Sequence, residues 1–140
     1  VETELSRFAQ ARTGGAGALS SFVGYCRGGS PSDAVEALYL DHYPGFTEAE
    51  ITRLATATAE RHKLIDLLVI HRAGEVAPRD PIVLVAALSA HRAEAFAAVA
   101  ELMDYLKTDA PFWKREIGGG QSRWIEPTET DRARRAARGD

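Results

Sequence analysis

The chain has 140 residues, of which 45% are hydrophobic and 26% charged. That composition suits one compact domain with a real core and excludes a disordered chain. A formal net charge of −3 excludes bulk binding to a nucleic-acid backbone, which calls for a basic excess, so any anion site must be local. The single cysteine, Cys26, allows no internal disulfide and fits a reducing cytoplasm. The apolar run Ile82 to Leu88 is too short to span a bilayer, and the opening VETELSRFAQ does not read as a signal segment.

In chain order, residues 1–18 read as a weakly organised N-terminal segment ending in Gly14-Gly15-Ala16-Gly17. Residues 19–26, LSSFVGYC, predict a strand from their β-branched and aromatic content. A loop over 28–33 and a second strand from Val35 to Tyr43 follow, and Pro44-Gly45 breaks the chain. Thr47 with Glu50 is a capping-box pattern opening a helix over about 48–62, whose Ile51, Leu54, Ala55, Thr58 and Ala59 share one face. Ile65 to His71 predicts a short buried strand, residues 72–81 a loop, and Ile82 to Leu88 another buried strand.

Ser89 can cap a helix over about 90–107 with an apolar face of Phe96, Val99, Ala100, Met103 and Leu106, closed by Pro111. Phe112 to Ile117 and Arg123 to Glu126 predict a hairpin around Gly118-Gly119-Gly120. The charged tail 128–140 reads as a frayed helix or a disordered end. Strands and helices alternate without a clear βαβ repeat, so the expected class is α+β or mixed α/β.

Ser89-Ala90-His91-Arg92 is the most informative stretch. A helix start carries partial positive charge and favours carboxylates, so two potential cations there oppose the local field. A bound phosphate or carboxylate would resolve the conflict; the alternative is a solvated Arg92 and a His91 bonded to a neighbour. Lys107 falls in the last helical turn, where the dipole already favours a cation. Lys114 shares a strand face with Phe112 and Glu116, and Trp113, Arg115 and Ile117 share the other, so this strand should border a pocket or an interface. A lysine among aromatics and other cations is pushed toward its neutral, nucleophilic form, although solvated lysines are the commoner case.

Arg27 follows the first strand and could reach an anion or protect a sheet edge. Cys26 beside it could be an activated thiol, but a lone cysteine in an apolar strand is more often a core residue. His42, His62, His71 and His91 show no metal-ligand spacing, no phosphate-binding loop motif is present, and the tail arginines alternate with acids as in a solvated end.

The run MDYLKTDAPFWKRE (103–116) resembles the signature of the molybdopterin synthase large-subunit family. So do VGYCRGG (23–29), DHYPGFTEAE (41–50), VIHRAGEV (69–76), SAHRAEAF (89–96) and RWIE (123–126), in the same order and at similar separations. The likeness spans roughly residues 20–127, inside an expected domain of 19–127.

The resemblance implies an α/β hammerhead-type single domain with an added hairpin subdomain, forming a homodimer. Each protomer would bind one small ubiquitin-like sulfur-carrier subunit, giving a heterotetramer. It further implies conversion of cyclic pyranopterin monophosphate to molybdopterin, with sulfur from the partner's C-terminal Gly-Gly thiocarboxylate and no metal or cofactor.

Position by position, the family's two lysines fall on Lys107 and Lys114, and its substrate-binding basic residues on Arg27, His91, Arg92 and Arg115. Tyr25 stands where the family often has a basic residue and Gly28 where it has a polar one, which weakens the expected grip of that loop; Cys26 stands at a usually apolar position. Two other readings remain at this point: a non-catalytic docking module for a ubiquitin-like carrier, and a different phosphate-ligand enzyme on the same fold.

Overall fold

The computed structural model describes residues 1–30, 33–34, 37–110, 112–118, 121–125 and 128–138. Within them, the side chains of residues 29–30, 33–34, 113, 115, 118 and 121–125 lie outside the description.

Two antiparallel sheets carry the architecture. The first is ordered β1 (Ala18–Tyr25), β7 (Pro81–Ser89), β5 (Asp66–His71), and the second β6 (Gly74–Val76), β4 (Ala37–His42), β8 (Phe112–Gly118), β9 (Gln121–Ile125). A two-residue ladder pairs β2 (Gly29–Ser30) with β3 (Asp33–Ala34) inside the expected loop. The architecture is α+β, as the alternation of elements predicts.

β7 is the central strand of the first sheet, and its residues Val83 to Ser89 are buried on both faces. That explains its continuous apolar run. Helices α2 (Phe46–Arg61) and α3 (Arg92–Thr108) cover one face of this sheet. Leu54 of α2 and Ala98, Val99, Leu102, Tyr105 and Leu106 of α3 close over Val83, Val85 and Ala87 of β7. A second core lies on the other sheet, where Leu38, Leu40 and Val76 pack with Cys26, flanked by Ile82. Phe112, at the start of β8, packs against both cores.

Several local expectations are corrected. Thr47 is not the cap of α2: the helix starts at Phe46, after Gly45 turns the chain with φ +84°, a conformation that costs glycine little. The Glu48 carboxylate, not that of Glu50, accepts the Gly45 N–H, while Thr47 Oγ1 accepts the Tyr43 N–H at 2.9 Å and Glu50 pairs with Arg53 at 3.0 Å.

Ser89 does not cap α3 either. It is the buried last residue of β7, its hydroxyl donates to the His91 carbonyl, and His91 holds the cap position with no side-chain cap bond. The presumed loop 72–81 contains β6, a three-residue strand added to the edge of β4. So short a strand carries no periodicity of its own and is defined by its partner.

Both termini are more ordered than their composition suggests. α1 (Glu2–Gln10) is a regular helix with no buried residue. α4 (Glu129–Ala136) opens with a capping box in which Thr128 accepts the Asp131 N–H at 3.1 Å and Asp131 accepts the Thr128 N–H at 3.2 Å. Arg135 then fixes α4 to α3: its Nε donates to Asp109 at 2.8 Å and its guanidinium lies 4.6 Å from the Tyr105 ring centre. Arg138 adds a contact of 2.6 Å to Asp104.

Candidate active site

The site lies on the seam between the two sheets. Along β8, alternation puts Phe112 and Lys114 on one face, opposite His42 and Leu40 of β4 in the register. Leu40 is completely buried, so the sequence sets the Lys114 amine on an apolar surface. Lys107 approaches from the last turn of α3, with its side chain exposed. Burial pushes the Lys114 amine down to about 8, aided by the charge of Lys107 and by a hydrogen bond between the two side chains; Asp131 of α4 opposes the shift. The pair therefore sets two amines at one place, and Lys114 gives up its proton far more readily than an ordinary lysine.

His71, the last residue of β5, completes the surroundings. Its ring stacks on Phe112 with centroids 3.9 Å apart and planes 17° apart, and its Nδ1 lies 2.7 Å from the Arg72 carbonyl oxygen. That carbonyl can only accept, so Nδ1 carries the proton and Nε2 is left with a lone pair. Burial pushes His71 down to about 4, against the pull of the Arg72 carbonyl, and the charges of Lys114 and Lys107 push the same way. The imidazole is uncharged at neutral pH.

The sequence-predicted residues divide into two groups. Lys107 and Lys114 meet. Arg27 is exposed just beyond β1, at the same end of the first sheet, because Tyr25 pairs with Pro81 and His71 with Val83. The Cys26 N–H donates to the Asp80 carbonyl at 2.9 Å and the Arg79 N–H to the Cys26 carbonyl at 2.7 Å, tying this segment to the turn before β7.

His91 and Arg92 sit at the other end, beyond Ser89, both exposed. At the rise of an α-helix, the fifteen residues from Arg92 to Lys107 span about 22 Å, so one chain does not bring them to the lysines. Arg115 lies in β8 opposite Tyr39, and its side chain is outside the described residues.

Cys26 is buried, and burial, then Asp80 and Glu116, push its thiol up, which is the electrostatics of a core residue and not of an activated nucleophile. Among the described residues no group of three or more histidine, cysteine, aspartate or glutamate side chains could hold a metal ion, and no helix is long and apolar enough to cross a membrane.

Two residues of the lysine site, His71 and Asp131, were not singled out by the sequence for this role. For His71 the only signal was an imidazole ending an apolar strand. For Asp131 it was the Thr128–Asp131 spacing, which announces an ordered helix start in the tail.

The chain is similar to known proteins over most of its length. A sequence model described as MoaE protein matches residues 2–109. The molybdopterin synthase catalytic subunit of Cereibacter sphaeroides is 50% identical over 119 residues, covering 85% of this chain and 80% of that protein. That of Mesorhizobium japonicum is 49% identical over 133 residues, covering 94% and 82%. Among solved structures, the molybdopterin biosynthesis MoaE protein of Burkholderia ambifaria superposes with a TM-score of 0.80 at 40% identity, covering 100% of this chain and 92% of its own. The molybdopterin synthase of Staphylococcus aureus gives 0.80 at 26% identity, covering 89% and 90%.

The chain belongs to the MoaE protein family. Its role is that of a catalytic subunit in molybdenum cofactor biosynthesis.

Proposed function

We propose that this chain converts cyclic pyranopterin monophosphate to molybdopterin, taking two sulfurs from the thiocarboxylated Gly-Gly C-terminus of a small ubiquitin-like subunit. The observation that carries this reading is the coupled pair Lys107–Lys114 on the seam between the sheets. Acyl-sulfur chemistry develops negative charge on the acyl group, which a fixed cation stabilises. It also needs a group that takes or returns a proton, or attacks the acyl carbon to free the spent tail, and a lysine amine does so only when neutral. Lys107 offers the charge, and Lys114, whose amine is pushed down to about 8, offers the group that gives up and takes back a proton.

Arg27 would receive the substrate from the lysine side, with Arg115, His91 and Arg92 completing the grip on phosphate and pterin. The length of α3 supports a site shared by two copies of a homodimer, each lending its His91–Arg92 end to the lysines of the other. With one small subunit bound per protomer, the assembly would be a heterotetramer, working in the cytoplasm without a metal.

Reconstitution with a thiocarboxylated small subunit and cyclic pyranopterin monophosphate tests the reading, with molybdopterin followed by the fluorescence of its oxidised derivative. Product that disappears with Lys107→Ala is expected. Complex formation without any product from the unaltered chain would overturn the assignment and leave a docking module.

A further inference from the structure

A cavity of about 330 Å³ opens between α2 and the ends of β4 and β5, lined by His42, Glu48, Ile51, Val69, His71 and Phe112 among others. Neither Lys107 nor Lys114 lines it, although Phe112 is only two residues from Lys114 on the same strand face. The rings of His71 and Phe112, stacked 3.9 Å apart, both line this cavity, and the charges of Lys114 and Lys107 bear on His71. Phe112 is held from both sides by the two cores. His71 is held by its Nδ1 donation to the Arg72 carbonyl at 2.7 Å. His42 is the cross-strand neighbour of Phe112, with ring centroids 6.3 Å apart, and its Nε2 is 3.8 Å from Glu48.

We propose that His71 is a positioning residue for Lys114: its uncharged ring, clamped on Phe112 and on the Arg72 carbonyl, is the partition that keeps the water of the α2-side cavity away from the lysine amine. The inference rests on the assignment of Lys107 and Lys114 to the sulfur-transfer site.

Among the described residues, the charged and titratable groups around Lys114 are Lys107 of α3, Asp131 of α4, Glu116 on its own strand, and His71 of β5; His42 and Glu48 lie beside Phe112 on the cavity. Lys107 lowers the proton affinity of Lys114 by charge and Asp131 raises it. His71 acts through neither charge: an uncharged ring contributes by excluding water, and desolvation is the largest influence on Lys114. A protonated imidazole in this place would add a third cation beside two lysines. The chain avoids this by burying the ring and committing its one N–H to a backbone carbonyl.

The test compares the unaltered chain with His71→Ala and His71→Phe, each first shown to melt cooperatively. Lys114 is titrated by the chemical shift of its 13C-dimethylated amine, assigned by its loss in Lys114→Met, and the pH profile of molybdopterin formation is measured in parallel. With His71→Ala, water reaches the amine. Its midpoint should rise by about one pH unit, and the acid limb of the profile should follow, a roughly tenfold loss of rate near pH 7 that recovers at high pH. His71→Phe, which keeps a flat apolar ring on Phe112, should leave the midpoint and the limb in place.

An unmoved midpoint in His71→Ala would overturn the proposal. So would an equal displacement in both variants, which would assign the effect to the Nε2 lone pair. The titration needs no turnover, so a chain that makes no product would refute the proposed function while still testing His71.

Discussion

Arg92 and Lys107 stand at opposite ends of the same helix, with about four turns between them. The proposed substrate, a pterin phosphate, is too small to touch both in one chain. Two copies of Arg92→Ala and Lys107→Ala, each inactive alone, should therefore complement when co-assembled from mixed monomers. In the proposed homodimer, random pairing makes half the dimers mixed, and each mixed dimer holds one intact site of two, so about a quarter of the unaltered activity is expected. A mixture as inactive as its components would show that each chain builds its own site.

Lys114 should be a residue that weakens the fold it serves. Its amine is held near 8, below its ordinary 10.5, so the unfolded chain binds the proton more tightly. Stability is therefore penalised in full below about pH 8 and recovers as pH rises from there to about 10.5. Lys114→Met, with similar bulk and no charge, should abolish product formation while stabilising the protein at pH 7 by about 2 kcal/mol, a figure reduced for solvent screening of a half-buried group. Urea unfolding at pH 7 and pH 10 checks the sign: the advantage of the variant should shrink at the higher pH.

Gly17 stands where the fold leaves no room for a side chain. Its N–H donates to the Ser89 carbonyl at 2.9 Å, and a Cβ built there would lie 2.1 Å from the Ala90 carbonyl oxygen. Backbone must move to admit it, so Gly17→Ala should cost about 2 kcal/mol and lower Tm by several degrees. Because the strain falls on the segment leading into α3, hydrogen exchange should quicken at the start of that helix.

Arg135 should govern the order of the C-terminal helix. Removing its guanidinium deletes a paired contact to Asp109 and the stacking on Tyr105. Arg135→Ala should cost about 1 kcal/mol in overall stability but loosen α4 much more, visible as faster proteolysis within residues 128–138. Unchanged protection of α4 would show that Arg138–Asp104 suffices to hold it.

The fold class, the buried central strand and the hairpin of β8 and β9 were legible because each is encoded locally, by an apolar run or by alternation around glycines. The caps were not. Thr47 and Ser89 are both good capping residues by type, yet a positive φ at Gly45 moved one helix start and the extra length of β7 absorbed the other residue. β6 was invisible for a different reason, since three residues become a strand only when β4 lies beside them. The α4 helix carried its signal in Thr128 and Asp131, and the charged composition of the tail hid it. For the site, the resemblance named both lysines, but the division into two distant groups required α3 to be laid against the sheet. The role proposed for His71 lay beyond sequence reasoning, because it depends on a ring from β8 that is 41 positions away in the chain.

Phe112 belongs to both hydrophobic clusters and touches the imidazole that borders the lysines. Neither sheet can therefore loosen without pulling the other's packing apart at the same side chain. A protein joined at such a point has no dispensable half. The two sheets should melt in a single transition, and the chemistry should be lost with the first degree of opening, well before either sheet has come undone.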